Sequence, residues 1–417
     1  MTPSSTRTLP AATVPLKQDA GVIGLVGMAH LISHFSQLLL APLFPWLKAE
    51  FNVSYAELGF LMTLFFVVSC GVQAASGFLV DKVGPRPVLF AGLGLLGLAA
   101  FGFSVSTSYA MLAGFSMLAG VGNGVFHPVD YTLLNRKVST PRLGHAYSFH
   151  GITGSLGWAL APAMLVPLTL AFSWRVALAS AGTLAFVVLA VLLLNREKLS
   201  LPALPVAAAS ADKPLGGKAA NSLDFLRIPA VWMCFAFFFF YAMALSVVQA
   251  FAPEAARQLH DVPVALVAMC LTIYMLCSAG GMVVGGFLAS NPARCERIVG
   301  AGMGTAAVIA LYLGFGTFAA AVVPVLFGMM GFFAGISGPS RDLLVKRSTP
   351  DNATGRVYGV VYAGLDIGQA VSPLIFGALM DQHEYSTVLL GLAVVQAVLI
   401  ASAFNVRRVR RTALVAA

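Results

Sequence analysis

Apolar runs separated by short polar breaks occupy almost the whole chain. Twelve of them reach the roughly 20 residues that a helix needs to span a bilayer: near 21–44, 55–80, 87–106, 109–134, 144–170, 174–195, 226–251, 263–289, 297–318, 321–346, 355–380 and 385–406. One break is much longer than the others. Residues 196–224 are rich in Ala, Pro, Gly and Lys and read as a flexible linker. The pattern predicts an all-α integral membrane protein whose helices fall into two groups of six. The expected division is a flexible tail over 1–18, a six-helix bundle over 19–195, the linker over 196–224, a second bundle over 225–406 and a basic tail over 407–417.

The two groups are copies of one another. A shift of 211 residues superimposes Pro42 on Pro253, Pro128 on Pro339, Arg136 on Arg347, Gly144 on Gly355, Tyr147 on Tyr358, Gly157 on Gly368 and Pro162 on Pro373. Solenoid repeats are far shorter, about 20–50 residues. A repeat of half an apolar chain predicts two pseudo-symmetric bundles facing each other across a membrane pathway.

Composition sharpens this picture. The chain is 59% hydrophobic and 10% charged, against about 25% charged for soluble domains. Its net charge of +9 could suggest a nucleic-acid partner, but the placement of the charge argues against one. Of the 25 Lys and Arg, all but Lys48, Arg175 and Arg257 fall on one side of the alternating spans. The positive-inside rule therefore puts both termini and the linker in the cytoplasm; the membrane expected is a bacterial-type inner membrane. The N-terminus has no basic region running straight into a short apolar core, so no cleaved signal is expected. The five cysteines show no disulfide or zinc spacing. No nucleotide-binding loop and no Ser/Lys, Asp/Asp or HExxH constellation occurs, so neither ATP drive nor an enzyme is expected. Nor is a cofactor. The expected partners are the lipid bilayer, protons and a small-molecule solute, acting on a monomer.

The break after helix 2 reads Gly77-Phe78-Leu79-Val80-Asp81-Lys82-Val83-Gly84-Pro85-Arg86. Gly84 permits unusual backbone angles and Pro85 stops the helix. Gly77 is expected to let a neighbouring helix approach closely, and Asp81 can pair with Arg86. This segment resembles the signature of the major facilitator superfamily, G-x-L-x-D-[RK]-x-G-[RK]-[RK], departing from it only at Pro85. The likeness covers essentially the whole chain. It implies a central cavity lined by helices 1, 4, 7 and 10, alternating access by rocking, and a gating role for Gly77, Asp81, Lys82, Gly84 and Arg86. The matching turn after helix 8 has Ser290 in place of the aspartate. A narrower resemblance, to fosmidomycin-resistance-type efflux proteins, rests on His30-Leu31-Ile32-Ser33-His34, on Pro45 and Phe51, and on Gly122-Asn123-Gly124-Val125-Phe126-His127-Pro128. It implies export of small polar or anionic compounds. Two features depart from drug antiporters: Ser116 stands where many have an arginine in helix 4, and the helix 5 signature survives only as Gly157-Trp158-Ala159-Leu160-Ala161-Pro162.

An ionisable group at bilayer depth costs about 2.5–3.5 kcal/mol on insertion scales, so each needs a reason. Helix 1 carries His30 and His34 on one face, with Gln37 one step further. Helix 4 carries His127 and Asp130; helix 5 carries His145 and His150. Helix 10 has Arg341 and Asp342, and helix 11 has Asp366 and Gln369 beside Tyr362. The repeat pairs Asp130 with Arg341. Either Arg341 attracts an anionic group while Asp130 exchanges a proton with help from His127, or the two pair across a cytoplasmic gate. His30 and His34 serve the substrate or protons, a structural hydrogen bond, or a transition metal whose site His127 and Asp130 could complete; with no Cys or Met facing the pair at obvious spacing, no metal site is expected. Asp366 is a second proton-site candidate beside glycines expected to pack. Most of the Phe235 and Phe237–Phe240 run is expected to face lipid. Glu57 and Glu254 are expected to be solvated rim charges.

These residues point to a proton-coupled secondary transporter of a small, anionic organic solute, with efflux favoured. The alternatives are a proton-coupled uptake symporter of an organic acid or metabolite, a transition-metal transporter built on His30 and His34, and, from a different class, a receptor or scaffold that has lost transport.

Overall fold

The computed structural model describes residues 15–139, 142–201, 229–288, 294–348 and 354–415. The expected N-terminal tail lies almost wholly outside them, as does most of the linker. The side chains of Asp81, Arg341, Asp342 and Tyr362 also lie outside the described set. Among the described residues there is no strand, and twelve helical spans are long and apolar enough to cross a membrane. They are span 1 Leu16–Phe51, span 2 Tyr55–Gly77, span 3 Pro85–Ser104, span 4 Tyr109–Lys137, span 5 His145–Ala171, span 6 Trp174–Leu194, span 7 Val231–Ala250, span 8 Val264–Leu288, span 9 Cys295–Phe315, span 10 Val323–Ser340, span 11 Ala363–Asp381 and span 12 Tyr385–Ser402. The face at which span 1 begins is here the terminal face; the opposite one, where spans 1 and 2 turn, is the distal face.

Local chemistry sets where the spans start. Ser54, Ser108 and Ser173 cap spans 2, 4 and 6, each hydroxyl accepting from a backbone N–H three residues on. At span 2, Glu57 completes a capping box with the Ser54 amide. Glu57 is exposed, as expected of a rim charge. The helix holding span 12 runs on to Val415, through the segment expected to be a tail. No Gly or Pro interrupts that arginine-rich stretch, and arginine is a good helix former.

Span 4 departs from the expected single helix. It is two helices, Tyr109–Asn123 and Phe126–Lys137, broken at Gly124 and Val125. Pro128 has no N–H to give the Gly124 carbonyl four residues back. The Ser76 hydroxyl, from span 2, donates to that carbonyl at 3.4 Å instead. A Cβ on Gly124 would lie 2.5 Å from the Ser69 carbonyl, and one on Gly120 2.5 Å from that of Phe65. Span 2 therefore presses directly on the break. Gly77, by contrast, has no described atom within 4 Å of where its Cβ would be. The expected close approach at Gly77 is corrected: it occurs from span 4, through Gly120 and Gly124. Gly84 does take φ +86, and Pro85 follows as the first residue of the next helix.

Within each half, span 1 packs on span 5 and, correspondingly, span 7 on span 11. The halves meet where span 2 lies along span 11 and span 5 along span 8. Close approach again uses glycine: Gly157 sits against the Leu31 carbonyl of span 1, and its repeat equivalent Gly368 against the Phe239 carbonyl of span 7, at 2.3 Å from each added Cβ. Gly157→Val is therefore expected to cost on the order of 1–3 kcal/mol through overpacking. Its Tm in detergent should fall by several degrees, while Gly77→Ala leaves Tm unchanged. Phe237 and Phe238 are buried, at 3% and 1% exposure, and none of the phenylalanine run is fully exposed. The lipid-facing expectation fails there because spans 11 and 12 both pack on span 7.

Candidate functional site

Four of the sequence-identified histidines meet inside the N-terminal half. Span 1 presents His30 and His34 one turn apart, with ring centroids 4.3 Å from each other. The second helix of span 4 brings His127 and Asp130, and span 5 brings His150. Asp130 has 0% exposure. Its Oδ2 lies 3.1 Å from His30 Nδ1 and 3.0 Å from His150 Nε2. Its Oδ1 has no hydrogen-bond partner among the described residues. The His30 and His150 rings stack at 3.5 Å. This is possible because span 5 is bare at Gly154: a Cβ there would sit 2.8 Å from His34 Nδ1 and 3.1 Å from His30 Nε2. His34 packs against Trp158 with tilted rings 4.3 Å apart, and neither of its ring nitrogens has a hydrogen-bond partner among the described residues. His145 is exposed, away from the cage.

A ring of neutral groups holds the cage. Asn123, the last residue before the break in span 4, accepts from Ser33 Oγ at 2.7 Å and from Gln37 Nε2 at 3.2 Å, and donates to Ser69 at 2.9 Å. Trp158 Nε1 donates to Gln37 Oε1 at 3.0 Å. Spans 1, 2, 4 and 5 are thereby tied around the histidines. Towards the C-terminal half, His127 Nδ1 meets Gln73 Oε1 at 2.8 Å, and Gln73 Nε2 donates to Asp366 Oδ2 at 3.1 Å. Gln369 Nε2 donates to Gln249 of span 7 at 3.3 Å, far from the cage in connectivity.

Two expectations are corrected here. Asp130 is partnered by His30 and His150; His127 turns instead to Gln73. Glu254 is no solvated rim charge: at 6% exposure it receives Tyr55 Oη at 3.2 Å and a forked bond from Arg257 at 2.6 and 2.8 Å. Those bonds raise the Arg257 guanidinium pKa above its ordinary value. In the turn after span 2, Arg86 reaches the Arg196 carbonyl at 3.4 Å and Glu197 at 4.0 Å, and Lys82 is exposed. The side chains of Asp81, Arg341 and Tyr362 fall outside the described residues.

Chemically, the cage can hold and pass protons, since a carboxylate oxygen is shared by two imidazoles. It also has the donors for a divalent metal ion. One ligand atom each from His30, His34 and His127, and likewise from His30, Asp130 and His150, lie within 4.8 Å of one another. His127 and Asp130 are the residues expected to be able to complete such a site; His150 is the ligand the sequence did not offer. Sequence reasoning also missed Gln73, Asn123, Ser33, Ser69 and Trp158. Gln73 and Asn123 carried a usable signal, being amides in the middle of otherwise apolar spans.

The profile of the Major Facilitator Superfamily matches residues 26–340 and 239–416. The fosmidomycin resistance protein of Escherichia coli is 29% identical over 160 residues, covering 36% of this chain and only 37% of that protein's own length. A probable L-galactonate transporter of Escherichia coli is 24% identical over 420 residues, 93% of this chain and 91% of its own. Among solved structures, a bacterial homolog of the human lysosomal transporter Spinster, in an inward-facing and occupied conformation, superimposes with a TM-score of 0.75 at 13% identity, over 95% of this chain and 98% of that one. The fold, the twelve spans and the family profile agree: this chain belongs to the Major Facilitator Superfamily and is a multi-pass membrane protein.

Proposed function

We propose that the protein exchanges protons for a small organic anion across a bacterial inner membrane, exporting the anion by alternating access, with both termini in the cytoplasm. The observation that carries this reading is Asp130, buried in the N-terminal half with one oxygen between His30 and His150 and the other without a partner among the described residues. The shared oxygen allows one proton to be held by the carboxyl or by either ring while the neighbours stay hydrogen-bonded. Arg341, which the repeat sets opposite Asp130, is the group proposed to attract the anion. Two relatives whose names refer to organic anions, fosmidomycin and L-galactonate, support the substrate class; the first of them supports export. Contacts between the halves at the distal face support a state closed there and open to the cytoplasm.

The test uses purified protein in proteoliposomes, with radiolabelled fosmidomycin and L-galactonate as probes and an imposed pH gradient. Exchange predicts accumulation when the vesicle interior is acid, and collapse of that accumulation by a protonophore. Accumulation driven by an acid exterior would instead establish co-transport and uptake. Movement of Zn2+ or Co2+ that is lost in His34→Ala would replace the anion by a metal. If folded protein moves none of these probes, the receptor or scaffold reading gains.

A further inference from the structure

Span 2 is one of the two spans of the N-terminal half that lie along the opposite half. On one side it presses against span 4 of its own half, where Gly120 and Gly124 leave room for its backbone. On the other it lies along span 11 of the opposite half. There a Cβ on Gly59 would meet the Pro373 carbonyl at 2.8 Å, and Thr63 donates to the Ala370 carbonyl at 2.6 Å. Further towards the terminal face the contact changes character. Gln73 projects from span 2 between His127 and Asp366 and bonds both, at 2.8 and 3.1 Å. Among the described residues, it is the side chain that joins the histidine cage to an ionisable group of the C-terminal half.

An amide is directional: its oxygen accepts and its nitrogen donates. With Oε1 engaged by His127, that ring must carry hydrogen on Nδ1, leaving Nε2 to face the cage. With Nε2 engaged by Asp366, the carboxylate oxygen must offer a lone pair. One rigid group therefore ties the arrangement at His127 to the seating of span 11. A solute or proton that turns the His127 ring withdraws the donor from Gln73 and loosens its hold on Asp366.

We infer that Gln73 is the positioning residue that couples the histidine cage of the N-terminal half to the docking of span 11 against span 2, through the hydrogen-bonded series His127–Gln73–Asp366. The inference deepens the reading of the cage as the coupling site and rests on it for its role in transport, but the bridge itself can be tested without any substrate.

Cys70, one turn before Gln73 on span 2, is half-buried and lies close enough to Asp366 to feel its charge. Its alkylation by N-ethylmaleimide, followed by peptide mass spectrometry, reports whether spans 2 and 11 part. Gln73→Leu keeps the bulk and removes both bonds; Gln73→Glu keeps an acceptor for His127 but sets a carboxylate against Asp366. Each should raise the Cys70 labelling rate about tenfold or more, the scale of losing a hydrogen bond to a charged acceptor. The exchange Gln73→Glu with Asp366→Asn restores a donor and an acceptor in swapped positions and should return labelling to within about twofold of the parent. It should also recover gradient-driven transport that Gln73→Glu loses. Asp366→Asn alone still offers an amide oxygen to Gln73, so its labelling should stay low. Parent-like labelling in Gln73→Glu, or a double variant no better than the single, would overturn the bridge. Labelling that follows this pattern in a protein that moves no probe would leave the bridge standing and remove the transport reading.

Discussion

Asp130→Asn gives a folded protein that still exchanges solute for solute but no longer accumulates it against a pH gradient. Asparagine has the shape of aspartate and keeps one oxygen to accept from His30 or His150, at the sites now 3.1 and 3.0 Å from Oδ2. What it loses is the ability to take a proton and the charge that favours imidazolium beside it. With no carboxyl left to take a proton, gradient-driven accumulation should fall to the level reached without a gradient, while counterflow at equal pH survives. Asp130→Ala is the informative contrast. It leaves two buried imidazoles without their acceptor and should lower Tm by several degrees, which Asp130→Asn should not. Gradient-driven transport that persists in a folded Asp130→Asn protein would move the proton site elsewhere, with Asp366 next in line.

The fold was legible because its signals are redundant. Twelve apolar runs, a 211-residue repeat and a one-sided charge distribution each point to the same two bundles, and helix existence does not depend on any one residue. The site was legible only as a set of residues. His30, His34, His127, Asp130 and His150 stand out because ionisable groups are costly at that depth. Their pairing did not follow from spacing: His127 and Asp130 are three residues apart on one helix, yet one faces Gln73 and the other His30 and His150. Partners on other helices are decided by where backbones can approach, and that lay in the glycines. Gly154 and Gly157 admit span 1, and Gly120 and Gly124 admit span 2. Gly77 has the same composition signal and no neighbour within 4 Å of an added Cβ among the described residues. A glycine in a membrane helix announces a possible approach, but only the fold says which helix makes it. The repeat pairs Asp130 with Arg341 by symmetry; among the described residues, the partners of Asp130 are His30 and His150 of its own half.

Asp381→Ala opens the distal face. Span 2 begins with amides that have no partner within the helix. The Glu57 amide is taken by Ser54 of the same half, but those of Tyr55 and Ala56 donate to Asp381, at the end of span 11, at 2.7 and 2.8 Å. A carboxylate at a helix N-terminus also meets the positive end of the helix dipole. Lys48 approaches the same carboxylate at 3.6 Å, and Tyr55 Oη reaches Glu254 of the C-terminal half at 3.2 Å. The helix cap of one half is thus supplied by the other, and it is complete only while the distal face is closed. Loss of an N-terminal cap costs about 0.5–2 kcal/mol. The Lys48 contact adds less, because both side chains are partly exposed and water screens them. A shift of about 2 kcal/mol changes the ratio of distal-closed to distal-open states roughly thirtyfold. Ala250→Cys, buried beneath this contact at 6% exposure, reports the change when labelled by a membrane-impermeant maleimide. Labelling should rise about ten- to thirtyfold on Asp381→Ala, by the same arithmetic, and less on Asp381→Asn, which keeps one accepting oxygen. Because the distal-closed state is the one this contact stabilises, exchange should slow even though the histidine cage is untouched. Equal labelling in the parent and in Asp381→Ala would mean that Gly59 and Thr63, packed on span 11, hold that face shut without the cap.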